Sequence, residues 1–191
     1  MSRKDSNLTI PNILTIIRIL LTPGFVMAYS DQRFDLAWAL FAVAGLTDAL
    51  DGFLARVLKQ RSWLGAILDP LADKILIDTS YICLALNGWI PPWLSVMVVS
   101  RDVIIVGGLA LLNFLGVQVD KKIQPSWASK ATTLFQILLV LFVMLQQSLD
   151  LSYPSAFWSL ATLTAILTIV SGADYVRLGF SYLPEEEKTE V

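Results

Sequence analysis

Residues 48–73 read DALDGFLARVLKQRSWLGAILDPLAD. This stretch places four aspartates, Asp48, Asp51, Asp69 and Asp73, in otherwise apolar sequence. A carboxylate inside a membrane segment is costly and usually serves a function. The stretch therefore predicts two membrane-embedded segments that carry a chemical site.

The four aspartates form two pairs with helical spacing. Asp48 and Asp51 are three residues apart, and Asp69 and Asp73 are four apart, so the members of each pair share one helical face. The loop between the two predicted helices is short and basic, with Lys59 and Arg61. We therefore predict an antiparallel helical hairpin whose four carboxylates converge near its loop end.

Composition indicates an all-α polytopic membrane protein. The chain has 191 residues, of which 55% are hydrophobic and 16% are charged. A soluble domain carries roughly 25% charged residues, and here the apolar residues are concentrated in long runs that fit a lipid bilayer. The net charge of −2 argues against a nucleic-acid partner, which would require a basic face.

Six transmembrane helices fit these runs, and each is long enough to cross the roughly 30 Å of bilayer hydrocarbon. The predicted spans are Ile13–Tyr29, Asp35–Val57, Trp63–Leu86, Pro92–Leu115, Ser129–Leu149 and Ala156–Val176. We predict one domain, residues 1–183, followed by an acidic and disordered tail at residues 184–191.

The distribution of basic residues predicts the orientation. Three short linkers, after the first, third and fifth spans, contain one basic residue, Arg33. The other side of the membrane holds Arg3, Lys4, Lys59, Arg61, Lys121, Lys122, Arg177 and Lys188. Positive residues favour the cytoplasmic side. We therefore predict an integral protein of a bacterial cytoplasmic membrane, with both termini and the aspartate site on the cytoplasmic side.

The carboxylates suit divalent metal. The chain has no His and a single Cys, which excludes the usual zinc ligand sets and points to oxygen ligands. Four carboxylates in one apolar site repel each other unless cations compensate them, and two divalent cations would do so. The alternative is that they pair with Lys74, Arg56 and Arg101, but basic residues within the spans are few.

The stretch resembles the signature of the CDP-alcohol phosphatidyltransferase family: D-x-x-D-G-x-x-A-R, eight residues, then G-x-x-x-D-x-x-x-D. All eight fixed positions are present at the required spacing. The segment from Pro11 to Arg18 also resembles the family's P-N-x-x-T-x-x-R segment, and the whole chain fits the six-span core of the family.

The resemblance implies a role for each matching residue. The acceptor hydroxyl would attack the phosphorus of CDP-diacylglycerol that carries the lipid, and CMP would leave. Asp73 would act as the base on that hydroxyl. Asp48, Asp51, Asp69 and Asp73 would bind two divalent cations, Mg²⁺ or Mn²⁺. The CDP group would contact Gly52, Ala55, Arg56, Ser62 and Gly65, with Asn12 and Thr15 closing over it. The resemblance also implies a homodimer.

The acceptor must be recognised elsewhere in the chain. Arg18, Arg101 and Lys130 are candidates for binding an acceptor phosphate, which in this branch belongs to a glycerol-containing molecule. The alternative is that these side chains extend to the membrane interface without contacting substrate.

Two acceptors fit the region from Arg101 to Thr133. Phosphatidylglycerophosphate synthases, which use glycerol 3-phosphate, typically show Arg-Glu, Gly-Leu-Arg and Gly-Lys-x-Lys-Thr. This chain has Asp102 for the Glu, and Leu109 and Thr132 where two of the bases would fall. Arg-Asp and Ser-Lys-x-x-Thr look more like cardiolipin synthases, so the sequence favours phosphatidylglycerol. Inositol phosphate, serine and choline acceptors fit less well.

The intramembrane carboxylates also fit a different class of protein. A cation transporter also uses such carboxylates, but it would more often show repeated halves with interrupted helices, and neither is visible in the sequence.

A separate prediction concerns a lysine and an aspartate in the third span. Lys74 and Asp78 are four residues apart, so we predict that they pair with each other.

Overall fold

The structure, a computed structural model, describes residues 10–58, 63–114 and 127–181. Side chains are described within these ranges except at positions 10–14, 48–58, 63–70, 109, 111–113 and 180. Within the described residues, all regular secondary structure is helical. The helices are α1 Ile10–Ser30, α2 Phe34–Leu58, α3 Trp63–Leu86, α4 Pro92–Phe114, α5 Trp127–Ser148 and α6 Pro154–Ser181.

The six helices coincide with the six predicted spans, which confirms the all-helical part of the fold prediction. The largest difference is at α6, which continues to Ser181, five residues beyond the predicted end at Val176. The segment Gly172 to Ser181 contains the polar residues that ended the hydropathy pattern, but its backbone remains helical. The predicted tail at residues 184–191 lies outside the described residues.

Three short turns at one end of the bundle share the same backbone conformation and hydrogen bond. Gln32, Gly88 and Asp150 have φ angles of 59°, 71° and 51°, in the left-handed region that ends helices. In each turn the next residue donates its backbone N–H to a carbonyl five residues earlier, as in a Schellman motif. These bonds join Arg33 to Ala28, Trp89 to Leu84 and Leu151 to Gln146, at 2.8–3.0 Å.

The helices pack as two connected groups. α1 packs against both α2 and α3, while α6 packs against α4 and α5. α3 touches α4, and both α2 and α3 touch α5, so the two groups share one core. Of the aspartates on α2 and α3, all but Asp73 lie outside the described side chains, and the predicted convergence of the four carboxylates therefore stays a prediction.

The buried face of α1 changes character along its length. Thr15, Arg18 and Thr22 are buried in its first half, whereas Phe25 and Tyr29 are buried near the turn end. Phe25, Tyr29, Phe34, Phe41 and Trp89 form an aromatic cluster with ring centroids 4.4–6.1 Å apart. The turn end is thus held by apolar contact, and the half away from the turns contains buried polar groups.

Within the described residues, two helices are long and apolar enough to cross a membrane: α5, and Pro154–Gly179 within α6. Shorter apolar segments occur at Thr15–Ser30 and Phe34–Thr47. The described parts of the bundle also expose large apolar side chains, such as Leu20 at 68% and Met27 at 67%. A soluble monomer rarely exposes contiguous apolar surface of this kind.

Candidate functional site

The aspartate motif spans the second half of α2 and the first half of α3. Of the four aspartates only Asp73 has a described side chain, and it is partly exposed on α3. The others, with the predicted CDP contacts, lie outside the described side chains: Asp48, Asp51, Asp69, Asn12, Gly52, Ala55, Arg56 and Gly65. Ser62 lies outside the described residues.

Within the described side chains, no three acidic, His or Cys groups form a set that could hold a metal ion. This leaves the predicted site untested, because three of its four carboxylates lie outside that set. The donor chemistry itself fits, since carboxylate oxygens are the ligands that Mg²⁺ and Mn²⁺ prefer.

Arg101, predicted to bind an acceptor phosphate, is buried on α4 at 4% exposure. Its Nη2 donates to Ser129 Oγ of α5 at 2.8 Å, and its Nε donates to Ser171 Oγ of α6 at 3.2 Å. Nη2 also donates to Ser171, and Nη1 donates to Asp102. Arg101 therefore does not extend to the membrane interface but joins three helices inside the bundle.

Asp102 joins this arginine to the helix that carries the motif. Its carboxylate accepts from Arg101 and forms an ion pair with Lys74 Nζ of α3 at 2.7 Å. Asp102 is almost fully buried, while the Lys74 side chain is 19% exposed. Buried charges persist when they are paired and hydrogen-bonded, and here one carboxylate serves two cations.

The prediction that Lys74 pairs with Asp78 is wrong, because the ion pair forms across helices with Asp102. Asp78 lies one turn further along α3 and adds a second carboxyl near Lys74 and Asp102. Its Oδ1 is buried, with no hydrogen-bond partner among the described residues. Spacing within one helix allowed the pair, but the packing of α4 on α3 offered Lys74 a closer carboxylate.

We call Lys74, Arg101, Asp102, Ser129 and Ser171 the polar cluster. It connects α3, α4, α5 and α6 through side-chain contacts. Its Lys74 directly follows Asp73 in the sequence of α3, so the cluster and the last carboxylate of the motif lie at the same height along that helix. The candidate site therefore consists of the motif on α2 and α3 and a cationic cluster at the height of Asp73.

The other two predicted phosphate ligands, Arg18 and Lys130, are not part of the polar cluster. Arg18 is fully buried on the same face of α1 as Thr15, a predicted CDP contact, so it does not extend to the interface. Lys130 is exposed, and its Nζ lies 5.8 Å from the centre of the Trp127 ring. A cation over an aromatic ring at a helix start is typical of an interfacial anchor, which is the alternative given for Lys130 above.

Thr132 occupies the position where glycerol 3-phosphate enzymes would show a lysine, and it is fully buried. Its hydroxyl lies 2.7 Å from the Ala128 carbonyl and 2.9 Å from the Leu167 carbonyl of α6. The threonine thus helps to hold α5 against α6. Because a threonine stands here in place of a lysine, the site has one basic side chain fewer than is typical of the glycerol 3-phosphate enzymes.

Sequence reasoning missed Ser171 and did not foresee the role of Asp102. Ser171 is a fully buried serine within an apolar run, next to Gly172. A Cβ added at Gly172 would lie 3.7 Å from Arg101 Cγ, which shows how closely α6 approaches the arginine. Such a serine carries no spacing signal, because its partner is 70 residues away in the chain.

Comparison with known proteins gives consistent results. The family model for CDP-alcohol phosphatidyltransferases matches residues 8–170. The chain is 35% identical to the cardiolipin synthase (CMP-forming) of Homo sapiens, over 90% of this chain and 62% of that protein. It is 36% identical to a probable phosphatidylglycerophosphate synthase of Mycobacterium tuberculosis, over 86% and 78%.

A third relative, the chloroplastic CDP-diacylglycerol–glycerol-3-phosphate 3-phosphatidyltransferase 1 of Oryza sativa, is 31% identical over 92% of this chain and 59% of that protein. The chain thus spans about three fifths of the length of the human and rice relatives. Both acceptor types considered above occur among the names of these relatives.

Proposed function

The chain belongs to the CDP-alcohol phosphatidyltransferase family, and we propose that it transfers a phosphatidyl group from CDP-diacylglycerol to a glycerol-containing acceptor, with release of CMP. The observation that carries this proposal is the complete signature from Asp48 to Asp73, which lies inside the matched range. A cation transporter would not require the glycines and the arginine of that signature.

The proposed reaction is a displacement at phosphorus. The oxygen of the acceptor hydroxyl forms a bond to the phosphorus that carries the diacylglycerol, and the bond from that phosphorus to the CMP oxygen breaks. Asp73 takes the proton of the hydroxyl, a role that a carboxylate held at hydrogen-bond distance can perform. CMP leaves with the electron pair of the broken bond.

Members of the family generally use divalent metal ions. We propose that Asp48, Asp51, Asp69 and Asp73 hold two of them, Mg²⁺ or Mn²⁺, which would neutralise the diphosphate and the charge on the leaving group. Gly52, Ala55, Arg56, Ser62 and Gly65 would contact the CDP group, with Asn12 and Thr15 of α1 closing over it.

We propose phosphatidylglycerol as the acceptor, which would make the product cardiolipin. This proposal is supported by Asp102, which offsets part of the charge of Lys74 and Arg101, and by the buried Thr132 in place of a lysine. Such a site suits the single charge of a phosphodiester better than a phosphomonoester dianion. Glycerol 3-phosphate is the second candidate, favoured by the identity to the mycobacterial relative.

The remaining features of the proposal concern the setting of the enzyme. We propose that all six helices span a bacterial cytoplasmic membrane, with the site and both termini on the cytoplasmic side. The exposed apolar side chains and the distribution of basic residues support this. We also propose that the protein works as a homodimer in the bilayer.

The test is CMP release by the purified protein with CDP-diacylglycerol and Mg²⁺ or Mn²⁺. Phosphatidylglycerol and glycerol 3-phosphate are offered in separate reactions, and the lipid products are resolved. We expect CMP and cardiolipin in the first reaction. Phosphatidylglycerophosphate in the second reaction only would reverse the choice of acceptor, and no CMP with either would contradict the transferase function.

A further inference from the structure

Ser171 is the member of the polar cluster that α6 contributes. It lies one residue beyond the range matched by the family, and no motif contains it. Its hydroxyl is fully buried on α6, where it accepts from two nitrogens of Arg101. A serine that accepts from both nitrogens of one guanidinium edge, Nε and Nη2, fixes the direction in which the group points.

The contacts of Arg101 define how much of it is available to a ligand. A guanidinium has five N–H donors. Four hydrogen bonds engage Asp102, Ser129 and Ser171, so one donor of Nη1 lies outside these contacts. The group is oriented before substrate binds, and its net positive charge is only partly offset by Asp102.

The position of this group suits the acceptor. Arg101 is linked through Asp102 to Lys74, the residue after the proposed base Asp73. Asp73 and Lys74 differ by about 1.5 Å in height along α3, so an acceptor whose hydroxyl reaches Asp73 would have its phosphate at the height of the cationic cluster. Because a planar guanidinium binds phosphate well only in a defined orientation, its orientation affects affinity directly.

We propose that Ser171 is a positioning residue that orients Arg101 for the phosphate of the acceptor. The inference rests on the proposed function and deepens it. Ser171 does not touch the substrate. Its removal would let the guanidinium rotate, and it would weaken acceptor binding without affecting the CDP-lipid, which is held by the motif on α2 and α3.

The test compares two buried serines. Ser171→Ala removes the bonds to Arg101, whereas Ser80→Ala removes the hydroxyl of an equally buried serine that bonds only the Leu76 carbonyl of its own helix. Steady-state CMP release is measured for each variant with the acceptor that the wild-type protein uses. KM is determined for the acceptor and for CDP-diacylglycerol, together with the thermal unfolding midpoint in detergent.

We expect Ser171→Ala to raise the KM for the acceptor about tenfold, the range for loss of a hydrogen bond to a charged group, and to leave the KM for the donor unchanged. Ser171→Thr, which keeps the hydroxyl, should restore the acceptor KM, and Ser80→Ala should leave both values unchanged. An unchanged acceptor KM in Ser171→Ala, with or without a lower unfolding midpoint, would overturn the inference. So would an equal rise in Ser80→Ala. Absence of CMP release by the wild-type protein would instead overturn the proposed function.

Discussion

The two ends of the bundle are stabilised by different kinds of interaction. At the turn end, Schellman turns and the aromatic cluster satisfy the backbone and fill the core with apolar rings. In the other half, the polar cluster places two cations against one buried carboxylate between four helices. Replacing such ion pairs by apolar residues is often neutral or stabilising. We therefore propose that the charges of the polar half serve binding and reaction, and that the turn end is stabilised mainly by apolar packing.

The largest expected effect is on activity, from a change in the polar half. Asp73→Asn removes the proposed base, so we expect CMP release to fall roughly 10²–10⁴-fold, the usual range for general base catalysis. The unfolding midpoint should change little, because Asp73 is partly exposed. Steady-state CMP release and thermal unfolding in detergent measure the two effects.

The control for Asp73→Asn is Asp31→Asn, a change of the same chemistry at an exposed position in the first turn. It should leave the rate as it is. If the Asp73→Asn protein kept the wild-type rate, Asp73 would not be the base of the reaction.

The next effect tests whether the polar cluster also contributes to stability. Asp102→Asn leaves Lys74 and Arg101 without their shared carboxylate, and breaking a buried ion pair costs about 3–5 kcal/mol. We expect a lower free energy of unfolding together with a loss of CMP release. Both are measured on detergent-purified protein.

A double-mutant cycle isolates the ion pair. In Lys74→Met with Asp102→Asn only Arg101 lacks its carboxylate, so the two changes together should destabilise less than the sum of the single changes. Strict additivity would mean that the 2.7 Å contact contributes nothing to the stability of the protein.

The matching change at the turn end should separate folding from activity. Phe41→Ala removes a ring that is 2% exposed and packs against Phe25, so we expect a loss of about 3 kcal/mol in the free energy of unfolding. CMP release per folded molecule should be retained, because Phe41 is not among the proposed site residues.

Val43→Ala on the same helix serves as the control, since Val43 is 47% exposed and its loss leaves no buried cavity. If Phe41→Ala abolished the activity of protein that remains folded, the two halves would not be as independent as their chemistry suggests.

The smallest effect concerns the turns themselves. Gly88 has a φ of 71° with open space around its Cα, so Gly88→Ala should destabilise by about 1 kcal/mol through backbone strain alone. Gln32 holds the equivalent position in the first turn with a side chain, and Gln32→Gly should stabilise by a similar amount. If both variants shifted the unfolding midpoint in the same direction, the left-handed backbone conformation would not explain the effects at these two positions.

Much of the fold could be predicted because hydropathy is a local property. Each apolar run became one helix, and each short linker became a turn with the expected reversal. The end of α6 was misplaced because helix formation can continue through polar residues that hydropathy excludes. The aspartate motif could likewise be read directly, since its residues are fixed by spacing along two neighbouring helices.

The partners of buried charges could not be predicted in the same way. Lys74 had a carboxylate at helical spacing in Asp78, yet it pairs with Asp102, 28 residues away. Arg101 was expected to bind a ligand or to extend to the membrane interface, and its hydrogen bonds to Ser171 were not foreseen. These contacts depend on which helices are neighbours, and no pattern within one helix contains that information.

The sequence by itself determined the helices, the carboxylate motif and the family, because each depends on residue type and local spacing. Only the tertiary structure decided which groups surround Arg101, and that Ser129 of α5 and Ser171 of α6 both accept hydrogen bonds from its guanidinium. The physical reason is that a charge buried among helices must be satisfied by whatever polar groups the packing brings within hydrogen-bond distance. The signature of residues 48–73 thus identifies the donor chemistry, while the packing of α4, α5 and α6 sets the surroundings proposed for the acceptor.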